Sequence, residues 1–76
     1  MMHFPSKTEL EALRRHYPEG TRIELISMED PYGPILPGTK GSVAYIDDAG
    51  QLHMRWDNGR GLALIPGEDQ FRVINE

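Results

Sequence analysis

Three arginines, Arg22, Arg55 and Arg72, fall at outward positions of short alternating runs. Planar guanidinium forks on neighbouring strands can hold a phosphate or another small anion. The competing reading is a solvated face on which they mix with Glu24, and it is the better supported. His53 shares the outward face with Arg55. A second constellation is Glu29, Asp30 and Tyr32, inside a stretch rich in proline. There Tyr32 can pack on a ligand while Asp30 accepts a hydrogen bond from an arginine or a hydroxyl. Equally, Asp30-Pro31 opens a turn, because an Asp side chain bonds backbone two residues on, and Tyr32 then lids the core. If the chain carries a site, this loop is the first choice.

Trp56 is the one tryptophan. It is a candidate platform for a proline-rich peptide. It also alternates with Leu52 and Met54, and that spacing favours the core. Asp57, Asn58 and Arg60 surround a hairpin tip, where Asn58-Gly59 answers the demand of a type I′ turn for positive φ. Asp57 and Arg60 are then an exposed pair of small worth.

Other chemistries find no footing. His3, His16 and His53 lack ligand spacing, so no metal site is expected. The absence of cysteine excludes disulfides and thiolate chemistry. Gly38-x-x-Gly41 is not followed by a helix that would aim amides at a phosphate. No acid or base has a visible reason for a perturbed pKa. No cofactor or catalytic residue is implied, and an enzyme is the least favoured class.

The elements that must position these residues are short. Ser6-Lys7-Thr8-Glu9 is a capping box, Leu10, Leu13 and Tyr17 share a helical face, and Pro18 stops the helix, which predicts residues 7–16. Alternation predicts strands over 21–28, 41–47, 51–57, 60–65 and 70–74. Three prolines and two glycines exclude regular structure over 29–38. Asp48-Ala49-Gly50 and Pro66-Gly67 are turns, and Pro18-x-Gly20-Thr21 and Pro37-Gly38-Thr39 read as one turn solution used twice. The order predicts an all-β fold: a five-stranded SH3-like barrel over 21–75 behind one N-terminal helix. Its expected core is Leu10, Leu13, Ile23, Leu25, Val43, Ile46, Leu52, Met54, Trp56, Leu62, Leu64, Phe71 and either Val73 or Ile74.

The 76 residues predict a single domain. A chain this short buries about 60% of its unfolded surface, which favours a binding module over a deep catalytic cleft. Twelve acids against eight bases give a net charge of −4. That weighs against nucleic acid and against anionic membrane. With no cysteine, no apolar run near the ~20 residues of a membrane span and no hydrophobic leader, a cytoplasmic location is expected.

The set Tyr17-Pro18-x-Gly20-Thr21-Arg22, Met28-x-Asp30-Pro31-Tyr32, Pro37-Gly38-Thr39-x-Gly41, Trp56-Asp57-Asn58-Gly59, Leu62-x-Leu64-Ile65-Pro66-Gly67 and Phe71 resembles the DUF4314 family. These are short bacterial, phage and plasmid proteins without an assigned activity. The resemblance spans the helix to Ile74. It implies a small free-standing domain from mobile elements of Firmicutes, where such accessory proteins bind a host factor or a signalling molecule. It carries over no catalytic residue. The residues and the resemblance together lead to a non-enzymatic module that binds another protein. The alternatives are an oligomeric binder of a small anionic ligand, such as a nucleotide or signalling molecule, and a single-stranded nucleic-acid binder. The oligomeric state stays open.

Overall fold

The computed structural model describes residues 4–28 and 35–75. Its first element is α1 (Lys7–His16), set by its own caps. The Glu9 amide donates to Ser6 Oγ at 3.2 Å, and the Ser6 amide donates to Glu9 Oε1 at 3.0 Å. A cap of this kind is worth about 1 kcal/mol. The Tyr17 amide closes the far end on the Leu13 carbonyl at 2.8 Å. No residue of α1 is fully buried, but Leu10, Leu13 and Tyr17 pack on the core. Arg14 ties the helix to the sheet, donating to the Ile46 carbonyl at 3.0 Å and to Asp48 at 3.2 Å.

Four strands follow among the described residues: β1 (Arg22–Ser27), β2 (Lys40–Ile46), β3 (Leu52–Trp56) and β4 (Gln70–Val73). They form one antiparallel sheet in the order β3-β2-β1-β4. Ile23, Leu25, Ile35, Val43, Ile46, Leu52, Met54, Trp56 and Leu64 make the buried core.

The protein is therefore mostly β with one short helix, and it corrects the expected five-stranded closed barrel. The missing strand is 60–65. Its register is present at both ends: the Trp56 amide donates to the Arg60 carbonyl at 3.1 Å, and Leu52 and Leu64 exchange both backbone bonds at 2.8 Å. The rung between them would join Met54 to Leu62. Instead the Leu62 carbonyl accepts from the Trp56 indole Nε1 at 2.8 Å, and the ladder is interrupted.

Two further expectations change. Ile35, from the proline-rich stretch, is a core residue with 2% exposure, whereas Val73 is 53% exposed at the sheet margin and Ile74 is half-buried. The Asn58-Gly59 turn is not type I′, since among the described residues only glycines have positive φ. Gly59 (φ 87°) donates to the Trp56 carbonyl at 2.9 Å, so the tip is an ordinary turn followed by a left-handed glycine. The repeated turn stands: Thr21 donates to the Pro18 carbonyl and Thr39 to the Leu36 carbonyl, each across a glycine near φ 90°.

Candidate functional site

Antiparallel partners project to the same side of a sheet. Here that rule assembles an outer, charged face. Ser42 on β2 is the cross-strand partner of both Arg22 on β1 and Arg55 on β3. In the adjacent row Glu24 on β1 is the partner of both Lys40 on β2 and Arg72 on β4.

The three arginines come to one face, yet each is held by a carboxylate of the same chain. Arg22 forks onto Asp57, with Nη1–Oδ1 2.9 Å and Nη2–Oδ2 2.6 Å, and also donates to Ser42 Oγ at 3.0 Å. Arg72 donates to Glu24 Oε1 through Nη2 at 2.6 Å and Nε at 3.0 Å. Arg55 reaches Glu19 at 3.2 Å. The hydrogen bond and charge of Arg22 hold the Asp57 carboxyl below the usual carboxylate range. The face is consequently a mosaic of paired charges and not a cationic strip.

A β-bulge sets the remaining feature. Val43 partners Met54 and Tyr45 partners His53, so β2 carries one extra residue, Ala44, between them. The bulge turns Val43 and Ile46 inward and Tyr45 outward, where Tyr45 is 58% exposed. Its ring stacks on His53 with centroids 4.4 Å apart and planes 6° from parallel. His53 Nε2 lies 2.8 Å from Asp47 Oδ2. Asp47 Oδ1 accepts the amides of Ala49 at 3.0 Å and Gln51 at 2.9 Å. Partial burial pushes the Asp47 carboxyl up, but these bonds outweigh it and hold it low. An ionised carboxylate only accepts, so Nε2 carries the imidazole proton. Asp47 thus fixes the turn, the turn and Asp47 fix His53, and His53 backs an exposed tyrosine.

Tyr45 also borders a shallow hollow of about 270 Å³ between the end of α1 and β2, lined by Arg14, Tyr17, Pro18, Glu19, Ala44 and Ile46. Exposed ring, hollow and Arg55–Glu19 pair are contiguous through Glu19.

The other candidates fall elsewhere. Asp30 and Tyr32, with Glu29, lie outside the described residues. Trp56 is 3% exposed and spends its indole donor on Leu62, so its ring is core and offers no stacking platform. Asn58 Oδ1 accepts the Arg60 amide at 3.0 Å and shapes the hairpin tip. Among the described residues, no group of His, Cys, Asp or Glu is arranged to hold a metal ion, and no helix is long and apolar enough to cross a membrane. Tyr45 escaped the alternation rule because the bulge reverses it. The available signal was that Val43 and Ile46, three apart in one strand, cannot both face inward without an extra residue.

Fold and face together define a small antiparallel-sheet domain with a capped N-terminal helix and a charge-paired outer surface. The family model described as "Domain of unknown function (DUF4314)" matches residues 6–74, and the chain belongs to that family. No curated protein and no solved structure matches the chain.

Proposed function

We propose that this domain is a non-enzymatic module that binds another protein through its outer sheet face, with Tyr45 as the anchor. The observation that carries the reading is the exposed Tyr45 ring, held in place by His53 and Asp47 beside a hollow. Tyrosine and arginine dominate the energetics of protein interfaces, and a side chain already fixed loses little entropy on binding. Paired charges around it supply specificity through complementary partners on the other protein.

The same pairs count against a small anion, because a phosphate would have to displace Asp57, Glu24 or Glu19 from the arginines. They count equally against a strand of nucleic acid, which needs a continuous cationic track beside its stacking platform. The Asp30 and Tyr32 loop remains a second contributor to the same binding function. Cytoplasmic residence and carriage by a phage or plasmid complete the reading.

The test is affinity selection with immobilised wild-type protein and a Tyr45→Ala variant whose melting temperature is matched. Proteins recovered by the wild type and lost by the variant are the expected result. Equal recovery by both overturns Tyr45 as the anchor. Recovery of nucleic acid or a small anion in place of protein overturns the partner class.

A further inference from the structure

The two margins of the sheet are unlike. On the β3 side the returning chain occupies the edge at Leu52, through Leu64, and at Trp56, through Arg60. On the β4 side, the Ile74 amide donates to the Arg22 carbonyl at 3.0 Å. In an antiparallel ladder the residues that exchange bonds alternate. With Glu24 opposite Arg72, that bond turns the backbone groups of Arg72 and Ile74 toward β1. The N–H and C=O of Phe71 and Val73 therefore point away from the sheet, and no described residue bonds them. Gln70, Arg72 and Val73 are exposed, and Val73 is 53% accessible although it pairs with the buried Ile23. Natural edge strands are blunted by proline, bulges or free charges. β4 has no proline, its one charge, Arg72, is bound to Glu24, and the register shift in its pairing lies on β1 between Leu25 and Ser27, before the Phe71–Val73 stretch.

We infer that β4 pairs antiparallel with β4 of a second copy of this chain, joining two sheets into one of eight strands. The strand is self-complementary. With the two-fold axis at Arg72, Phe71 faces Val73 of the second copy and Val73 faces its Phe71. All four outward N–H and C=O pairs are then satisfied, and the apolar side chains on the core side meet across the axis. Phe71 is pre-set for this by its edge contact with Tyr17, ring centroids 5.8 Å apart. On the outer side the same register sets Arg72 against Arg72. Each Arg72 already carries its own Glu24, so the two guanidinium groups meet with their charges paired, while Lys40 lies beyond each Glu24 on β2. A partner strand without apolar residues at both outer positions would leave the Phe71 and Val73 side chains uncovered.

Sedimentation velocity from micromolar to millimolar concentration tests the pairing. Wild type is expected at twice the 8.6 kDa of one chain, and a wild type monomeric throughout overturns the inference. Val73→Pro deletes an N–H that its own sheet does not use, so the monomer fold survives while the dimer is lost. Val73→Lys, which blunts the edge without touching the backbone, gives the same outcome should the proline unfold the strand. Dimers that persist in these variants overturn the interface. Glu24→Gln keeps the shape but unmasks the facing arginines, so the dimer weakens and added salt restores it. An unweakened Glu24→Gln dimer refutes the register. Tyr45→Ala leaves the dimer intact, which separates this interface from the outer-face site.

Discussion

Replacing Gly41 by alanine probes how tightly β2 and β3 are joined behind the charged face. A Cβ there would stand 2.8 Å from Trp56 Cε3, 2.9 Å from the Arg55 carbonyl oxygen and 3.0 Å from Trp56 Cα. Two of those obstacles are backbone. The third is a ring that is 3% exposed and anchored through Nε1 to the Leu62 carbonyl. Ordinary contact begins near 3.4 Å, so the strands must part by about half an ångström. Overpacking of this kind costs about 1–3 kcal/mol. Restricting the unfolded chain returns about 0.4–1 kcal/mol. The net is a destabilisation of about 1–2 kcal/mol, and for a domain this small a melting point lower by roughly 5–15 °C. Thermal unfolding followed by circular dichroism and by Trp56 fluorescence reads it directly. Gly61→Ala is the matched control: nothing lies within 4 Å of its Cβ, and the change stays within about 0.5 kcal/mol. Equal melting points for wild type and Gly41→Ala would refute the packing argument.

Leu64 is fully buried, so Leu64→Asp strands a carboxylate in the core and costs several kcal/mol; an unchanged melting temperature removes Leu64 from the core. Ile35→Ala costs about 2–5 kcal/mol in urea unfolding if the Ile35 side chain sits in the core as described, and next to nothing if it does not. Asp47 and Asp57 are both held below the ordinary value of 3.8. Their contribution is complete above that value and disappears as pH falls through the lowered one, so urea midpoints should decline below about pH 4. Asp47→Asn with Asp57→Asn should flatten that acid limb; an unaltered slope contradicts the assignment.

What the sequence disclosed was what is local. The capping box, the extent of α1, the glycine-bearing turns and the inward residues of β1 and β3 follow from spacings of two to four residues. What it withheld is set by contacts between distant segments. Arg22, Arg55 and Arg72 read correctly as outward, but their partners Asp57, Glu19 and Glu24 lie 35, 36 and 48 residues away in the chain. The sequence favoured a solvated face shared with Glu24, as found, but only the strand register says which acid holds which arginine. The fifth strand failed for a similar reason: the 60–65 segment carries the right alternation, and a single indole donor diverts the carbonyl its middle rung requires. Ile35 sits between prolines with no periodicity to announce it. Tyr45 was hidden by the one-residue bulge that brought it to the surface.

The binding proposal stands most directly on Tyr45. A photo-crosslinking phenylalanine analogue placed at position 45, and at exposed Phe4 as a control, would be irradiated in cells that express the full chain. A discrete protein adduct at position 45, absent at position 4, is the predicted result. Adducts at position 4 alone, or a crosslink to nucleic acid at position 45, would contradict it.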